Sequence, residues 1–342
     1  MKILLIIPPS PFLLDEKVFM SLGILKVASV LEPHHDVNVL DLSGDRAYLH
    51  TIKKYLENNT VDIVGITATT PQLPNVVLIN QIIKDHNIPV ILGGPHVTLI
   101  NSAYKKEKSK NFVGRATKAM TNIMREFDRV VCGDGELAVF KAIDGETYVD
   151  ADDVKSDLFL TDSKFDELPF PARHLIDVDS YKFTINGQKG LSLIGQLGCP
   201  FNCGFCSGRN SPTFRKIRSR TVDNIIAEVD HLYKTYDVKS FMFYDDELNV
   251  GSSVYELLKK LIDYQEQNNV KFLFRGCIKA ELFNELQAEL MSKAGFKKLL
   301  VGFESGSDQI LKNINKKATK AENTRCVELA RKYNIGIKAL MS

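Results

Sequence analysis

The sequence lacks the features that mark membrane, secreted or nucleic-acid-binding proteins. No uninterrupted apolar run is long enough to span a bilayer, and the apolar run at Lys2–Ile7 ends at a proline, too soon for a signal peptide. The formal net charge is only +2, so the overall balance indicates no binding to nucleic acids or to membrane surfaces. Six cysteines in 342 residues show no regular framework of the kind found in disulfide-rich secreted domains. We therefore expect a cytoplasmic protein.

The length of the chain and the order of its apolar segments predict two α/β domains. With 342 residues and 44% apolar side chains, the chain can bury two cores of ordinary size. We place a first domain at residues 1–145 and a second at 189–342. The stretch between them, 146–188, shows little periodicity and contains Pro169 and Pro171, which is typical of a linker.

The first domain alternates strand-like runs with segments of helical spacing. Apolar residues recur at helical spacing in three segments, Leu22–Leu31, Tyr48–Leu56 and Val76–Lys84. This order predicts a doubly wound, Rossmann-like parallel sheet, whose ligands bind beyond the carboxyl ends of the strands. The predicted strands, which have the apolar character of strands buried on both faces, are Lys2–Ile7, Val37–Leu42, Asp62–Thr67, Pro89–Leu92 and Arg129–Cys132.

The second domain resumes the same alternation and is expected to form a partial (β/α) TIM-type barrel. Barrels of this type carry their active sites at the carboxyl ends of their strands. The predicted strands are Leu191–Gln196, Ser240–Tyr244, Lys271–Arg275, Lys298–Gly302 and Gly336–Leu340.

Three cysteines lie within eight residues, directly after the first strand of this barrel. The cysteines are Cys199, Cys203 and Cys206, and the first two occupy Gly-Cys-Pro and Asn-Cys-Gly turns, where buried structural cysteines are rare. A structural zinc site would need a fourth Cys or His at a matching distance, and the sequence offers none nearby. Cysteine thiolates also hold iron–sulfur clusters, and three ligands on a four-iron cluster leave one iron open for a substrate. The spacing therefore favours a [4Fe–4S] cluster.

The cysteine spacing, with Phe205 before the last cysteine, resembles the motif of the radical S-adenosylmethionine (SAM) superfamily. The strand ends of the first domain are similar to those of the cobalamin (B12)-dependent radical SAM enzymes, in which Gly-Gly-Pro-His-x-Thr and Gly-Asp-Gly-Glu stretches border the cofactor. In this sequence the two stretches are residues 93–98 and 133–136. The resemblance implies a cobalamin site that includes Pro9, Ser10, Thr67, Thr69, Thr70, Gly93, Gly94, His96, Thr98, Gly133, Gly135 and Glu136.

The first domain lacks the Asp-x-His-x-x-Gly loop whose histidine ligates cobalt in many cobalamin proteins. Pro8-Pro9-Ser10-Pro11 stands at that place, so no side-chain ligand to cobalt can be named. His96 is a candidate substitute, but a histidine after a Gly-Gly-Pro turn is more often a hydrogen-bonding loop residue.

The same resemblance implies a SAM site at the strand ends of the second domain. The acidic stretch 245–247 follows the second strand, where the superfamily binds the amino group of SAM; the alternative is a solvated acidic turn. Arg275 ends the third predicted strand and is expected to pair either with the methionine carboxylate or with a structural carboxylate, and Cys277 just after it could reach the pocket. The expected SAM-binding residues are Phe205, Asp245, Asp246, Glu247, Arg275, Glu304 and Ser305.

The resemblance implies a B12-dependent radical SAM enzyme and favours a methyltransferase. Its cofactors would be a [4Fe–4S] cluster, SAM and cobalamin. Its reaction would be the reductive cleavage of SAM followed by methylation of an unactivated carbon, although related enzymes also run cyclisations and rearrangements. Reduced flavodoxin or ferredoxin would donate the electron, and the substrate would be a small molecule or a peptide. No catalytic side chain can be assigned.

Two alternatives stay open. A cobalamin-independent radical SAM enzyme of the methylthiotransferase type would carry three further cysteines in its first half, where this chain has only Cys132. A non-catalytic protein that binds cobalamin or an iron–sulfur cluster is the second alternative. It is conceivable because only five barrel strands precede Ser342, whereas radical SAM cores have six units, so we expect a barrel truncated at its carboxyl end.

Overall fold

The computed structural model describes residues 1–341 and divides into two compact units. The first unit contains Met1–Tyr181 and Asn210–Thr213, and the second contains Lys182–Arg209 and the residues from Phe214 onward. Among residues 1–341, no helix combines the length and the apolar character needed to cross a lipid bilayer.

The first unit alternates strands and helices, as predicted from its sequence. Its strands are β1 (Lys2–Ile7), β2 (Asp36–Asp41), β3 (Ile63–Thr67), β4 (Val90–Gly93), β5 (Arg129–Cys132) and β6 (Tyr148–Asp150). Its helices are α1 (Leu22–Leu31), α2 (Tyr48–Asn58), α3 (Leu73–Asp85), α4 (Pro95–Ser109), α5 (Arg115–Glu126), α6 (Gly135–Ile143) and α7 (Asp162–Glu167), with short 3₁₀ turns at Thr70–Gln72, Arg173–Leu175 and Val178–Ser180.

The six strands form one parallel sheet in the order β2-β1-β3-β4-β5-β6. Side chains of β1 alternate between two apolar cores, with Leu4 and Ile6 in one and Ile3 and Leu5 in the other, so both faces of the sheet are covered. The strand order reverses between β1 and β3, and the carboxyl ends at such a point leave a crevice for ligands. The predicted doubly wound sheet is confirmed.

Most of the stretch predicted to be a linker belongs to the first unit. Tyr148–Asp150 forms β6, which pairs with β5, and the backbone N–H of Ala172 donates to the carbonyl of Leu25 at 3.0 Å. Three residues are too few to show a strand periodicity, which explains why the sequence did not predict this strand. A division into domains at residues 145 and 189 stays a prediction.

The second unit continues with further strands and helices. The strands are β7 (Thr184–Ile185), β8 (Gln188–Leu193), β9 (Gln196–Leu197), β10 (Arg218–Ser219), β11 (Ser240–Phe243), β12 (Leu273–Ile278), β13 (Phe296–Glu304) and β14 (Gly336–Met341). The helices are α8 (Pro212–Arg215), α9 (Val222–Tyr236), α10 (Ser253–Gln267), α11 (Glu285–Ala294), α12 (Asp308–Asn313) and α13 (Lys320–Lys332), with 3₁₀ turns at Ser207–Asn210 and Ala280–Leu282.

The main sheet of the second unit has the order β14-β13-β12-β11-β8-β7. Strands β8 and β11 to β14 are parallel, which confirms the predicted partial barrel, and β7 pairs antiparallel with β8 at the edge. Strands β11, β12 and β13, together with the residue before β12, contribute phenylalanine rings to one core, with ring centroids 5.1 to 6.1 Å apart. The rings belong to Phe241, Phe243, Phe272, Phe274 and Phe296.

Strand β12 begins and ends later than predicted. It extends to Ile278, so Arg275 and Cys277 lie inside the strand, and the expectation that Arg275 ends it is wrong. Gly276, which follows Arg275, is packed in the sheet, where an added Cβ would lie 3.1 Å from the Leu248 side chain. Side chains of β12 are alternately half-buried and buried, and Arg275 and Cys277 share the half-buried face.

Candidate functional site

The candidate cobalamin-binding residues follow four neighbouring strands of the first sheet. They lie at or shortly after the ends of β1, β3, β4 and β5, which lie side by side in that order. Because the carboxyl ends of parallel strands meet at one edge of a sheet, the structure brings these residues to the same edge.

Gln72, a residue that the sequence analysis did not single out, links two of these strand ends. Its side-chain oxygen accepts hydrogen bonds from the N–H and the hydroxyl of Thr69, at 2.9 and 2.8 Å. Its amide nitrogen donates to the Pro8 carbonyl at 3.1 Å and to the Ser10 hydroxyl at 2.7 Å. Gln72 is buried, so this network fixes the position of the loop after β1 relative to the loop after β3.

Thr98 makes a similar link between β4 and β5. Its hydroxyl donates to the Gly94 carbonyl at 2.9 Å and accepts from the Gly133 N–H at 2.9 Å. Both glycines have positive φ angles, 96° and 93°. An added Cβ at Gly94 would lie 2.5 Å from the Thr67 hydroxyl, so only glycine fits this turn.

His96 is buried at the start of α4. Its Nδ1 lies 3.0 Å from the Thr70 hydroxyl, whereas its Nε2 has no hydrogen-bond partner among residues 1–341. Burial lowers the pKa of His96, which favours the neutral ring. An orphaned ring nitrogen beside hydroxyl groups and exposed backbone fits a bulky ligand that carries many polar groups, as cobalamin does.

The cysteine loop, defined as residues 199–206, follows β9 at the carboxyl end of β8. Gly198 precedes it with a φ of 84°, and an added Cβ there would lie 2.2 Å from the Lys216 carbonyl oxygen. The N–H of Cys199 donates to the Phe214 carbonyl at 2.9 Å. The Arg215 guanidinium donates to the carbonyls of Phe201 and, at 2.7 Å, of Pro200. The entry to the loop is therefore held by backbone contacts that only glycine at 198 permits.

The three cysteines of the loop are free thiols, as are the three others of the chain. Cys203 is buried and Cys199 and Cys206 are half-buried. Burial raises the pKa of Cys199 to about 11 and also raises that of Cys203. Within residues 1–341 no three Cys, His, Asp or Glu side chains already form a metal-binding group. The donor set nevertheless fits an iron–sulfur cluster, because thiolate sulfur is the ligand that such clusters take.

The acidic stretch after β11, residues 245–247, makes hydrogen bonds to the backbone before the cysteine loop. Asp245 is buried and accepts a hydrogen bond from the Gly195 N–H at 2.8 Å, and Asp246 accepts one from the Gly198 N–H at 3.1 Å. Burial raises the pKa of Asp245 to about 7 and that of Glu247 to about 7; Lys316 and Lys279 act on Glu247 in the opposite direction. Asp245 and Asp246 thus hold the backbone that leads into the cysteine loop.

Glu304 ends β13 in a left-handed conformation, with a φ of 60°. Its carboxylate lies 3.3 Å from the Lys316 ammonium group, and both side chains are largely buried. The Ser305 hydroxyl accepts from the Ser307 N–H at 3.1 Å. Because of this left-handed backbone, the Glu304 side chain leaves the chain in a different direction from that of a residue in a regular strand.

The remaining candidates of the SAM set differ in exposure. Phe205 is 50% exposed, so its ring is free to pack against a ligand. Arg275 is half-buried, its Nε has no hydrogen-bond partner among residues 1–341, and burial lowers the pKa of its guanidinium. Cys277, on the same face of β12, has its pKa raised by burial to about 11.

Comparison with protein families gives two matches, one in each half of the chain. Residues 16–124 match the B12 binding domain, and residues 193–341 match the Radical SAM superfamily.

Comparison with individual proteins gives similar sequences and a similar fold. An uncharacterised methyltransferase of Pyrococcus horikoshii is 30% identical over 370 residues, which cover all of this chain and 73% of that protein. An anaerobic magnesium-protoporphyrin IX monomethyl ester cyclase of Rubrivivax gelatinosus is 25% identical over 89% of this chain and 54% of its own length. The radical SAM methyltransferase TsrM of Kitasatospora setae, solved with cobalamin and a [4Fe–4S] cluster, shares the fold with a TM-score of 0.72 at 16% identity, over 99% of this chain and 66% of TsrM.

Proposed function

Because this chain belongs to the family of cobalamin-dependent radical SAM enzymes, in which a B12-binding domain precedes a radical SAM domain, we propose that it methylates an unactivated carbon. The observation that carries the proposal is the cysteine loop, which gathers three free thiols in eight residues at the carboxyl end of β8. When bound, a [4Fe–4S] cluster would supply the electron that cleaves SAM, and cobalamin would carry the methyl group.

In the second unit, Cys199, Cys203 and Cys206 hold the cluster. Glu247 is the carboxylate of its stretch that can receive the SAM ammonium group, because Asp245 and Asp246 already accept backbone N–H groups. The other SAM contacts are assigned from exposure and position. The exposed Phe205 is assigned to the adenosine part. Arg275, on the half-buried face of β12, and Glu304 and Ser305, at the end of β13, are assigned to the methionine and ribose parts.

In the first unit, the edge formed by the ends of β1, β3, β4 and β5 binds cobalamin. Backbone and hydroxyl groups of this edge would hold cobalamin through hydrogen bonds, and the Nε2 of His96, which has no partner among residues 1–341, is one of the polar atoms that cobalamin would satisfy. The proposed contact residues are Pro9, Ser10, Thr67, Thr69, Thr70, Gly93, Gly94, His96, Thr98, Gly133, Gly135 and Glu136.

The proposal extends to partners. A reduced flavodoxin or ferredoxin delivers the electron, the substrate is a small molecule or a peptide, and the reaction takes place in the cytoplasm. The similar proteins include methyltransferases and a cyclase, so the assay must report the fate of the methyl group rather than SAM cleavage alone.

The test is anaerobic reconstitution of the full chain with iron and sulfide, in the presence of hydroxocobalamin, followed by desalting. We expect broad iron–sulfur absorbance together with retained corrin bands, and 5′-deoxyadenosine after reduction with SAM. Methyl-labelled SAM incubated with candidate acceptors then reports methyl transfer. Cluster absorbance without corrin bands would contradict the proposed cobalamin cofactor. Failure to cleave SAM would contradict the proposed enzyme activity.

The matched control compares two single substitutions of buried cysteines. Cys203→Ala removes a proposed ligand, whereas Cys326→Ala removes a buried thiol in α13. Only Cys203→Ala should lose iron, and both variants should keep the corrin bands. Equal iron in the two variants would contradict the assignment of the cysteine loop.

A further inference from the structure

The turn that follows α12 holds the middle of the cysteine loop. The Gly204 N–H donates to the Ile314 carbonyl at 2.6 Å, and the Asn315 side-chain amide donates to the Asn202 carbonyl at 2.6 Å. Asn315 has a φ of 54°, a conformation that asparagine adopts more readily than most residues. These contacts join residues more than 100 positions apart and fix the backbone on both sides of Cys203.

The same turn places a buried lysine close to the loop, and a second buried lysine comes from the end of β12. Lys316 is 5% exposed and Lys279 is 2% exposed. The Lys279 ammonium group lies 4.1 Å from the centre of the Phe201 ring, inside the cysteine loop, and donates to the Lys316 carbonyl at 3.1 Å. Lysine is rarely buried to this extent, so two such residues beside one loop call for a functional reason.

Each of the two buried lysines has a carboxylate partner. Lys279 pairs with Glu281 and Lys316 pairs with Glu304. The contact of the Lys279 ammonium group with the Phe201 ring places one ion pair against the loop, and Lys316 directly follows Asn315, which bonds the loop at Asn202. Buried positive charge therefore lies beside the middle of the cysteine loop.

We propose that Lys279 and Lys316 are positioning residues that raise the reduction potential of the iron–sulfur cluster in the cysteine loop. The inference rests on the proposed function, since it requires a cluster at Cys199, Cys203 and Cys206. One-electron reduction by an external donor adds a negative charge to a site that already carries three thiolates. Buried positive charge beside that site stabilises the reduced form, because net charge and burial set cluster potentials.

The test is a redox titration of reconstituted protein without SAM, followed by the electron paramagnetic resonance signal of the reduced cluster. Lys316→Met removes the charge and keeps most of the apolar stem, Lys316→Arg keeps the charge, and Lys312→Met removes an exposed lysine of α12 as a control. At the wild-type midpoint, we expect the ratio of reduced to oxidised cluster to fall at least tenfold in Lys316→Met, a shift of about 59 mV or more to lower potential. Lys316→Arg and Lys312→Met should stay close to the wild type.

A fourth variant separates the effect of the Lys316 charge on the potential from the effect of changed packing. Glu304→Gln removes the partner carboxylate and keeps Lys316, so it should move the potential in the opposite direction to Lys316→Met. Shifts of the same sign in both variants, or an unchanged potential in Lys316→Met with a full complement of iron, would overturn the inference. If Lys316→Met cannot hold a cluster, Lys279→Met is judged by the same criterion. Absence of a cluster from the wild-type protein would instead overturn the proposed function, and iron analysis distinguishes the two failures.

Discussion

Asp245 accepts a hydrogen bond from the backbone N–H of Gly195 at 2.8 Å, 50 residues earlier in the chain. The next residue, Asp246, bonds the Gly198 N–H, so the strand end after β11 holds both ends of β9. An acidic stretch that the sequence associates with ligand charge is thus also the support of the cysteine loop. Replacing Asp245 and replacing Glu247 should therefore have different effects on the stability of the protein.

Replacement of Asp245 should destabilise the folded protein. Asp245→Ala leaves the buried N–H of Gly195 without an acceptor, which costs about 1–3 kcal/mol. Thermal unfolding of the apo protein, measured at pH 6, should show a lower transition midpoint. Asp223→Ala, which removes an exposed carboxylate from α9, serves as the control and should leave the midpoint nearly unchanged. Equal midpoints for the two variants would show that the Gly195 contact contributes nothing to stability.

The pH dependence of stability should report the buried carboxyl of Glu247. Burial raises the pKa of this group to about 7 from its ordinary value of 4.5. Between these values the folded chain keeps a proton that the unfolded chain has released, so stability falls as the pH rises from about 4.5 to 7. Glu247→Gln removes this contribution, and we expect it to gain up to about 3 kcal/mol relative to the wild type on going from pH 4.5 to pH 8.

The control for this measurement is Glu266→Gln, which changes an exposed carboxyl at the end of α10. Denaturant titrations of apo protein at several pH values give the free energy of unfolding, and its change with pH is the slope compared between variants. A Glu247→Gln slope that matches those of the wild type and of Glu266→Gln would contradict the pKa shift.

The sequence predicted β1 and β5 to the residue, because each is a short aliphatic run that ends at a residue typical of turns, Pro8 after β1 and Gly133 after β5. The cysteine loop was recognisable because its chemistry depends on local spacing. The bounds of β12 were predicted less well, because Gly276 lies inside the strand and its packing against Leu248 is a contact that the sequence does not show. Gln72 and Lys316 were missed for a different reason. Their roles depend on contacts with residues distant in sequence, and a single sequence carries no record of such contacts.

Gln72 should matter for the proposed cobalamin site at the ends of β1 and β3. Gln72→Ala removes four hydrogen-bond contacts that join the loop after β1 to Thr69, so we expect a lower unfolding midpoint and a Kd for hydroxocobalamin that rises about tenfold. Gln81→Ala, at an exposed position of α3, is the matched control. A Kd that is the same in Gln72→Ala and Gln81→Ala would place the ligand away from this edge.

Gly198 is the residue at which the entry to the cysteine loop is most sensitive to an added methyl group. Gly198→Ala forces a side chain into a φ of 84° and to within 2.2 Å of the Lys216 carbonyl oxygen. The loop must shift to relieve this contact, so we expect the reconstituted protein to hold less than about half the iron of the wild type, with a loss of about 1–3 kcal/mol in stability.

Gly187→Ala separates backbone strain from the steric contact. Gly187 has a φ of 80°, close to that of Gly198, but an added Cβ there meets no atom within 4 Å. Both variants should lose stability from the unfavourable φ, whereas only Gly198→Ala should lose iron, because only its Cβ displaces the backbone next to Cys199. If iron is lost equally from both, general destabilisation explains the effect. If neither variant loses iron, the cluster does not depend on the entry to the loop that this structure shows.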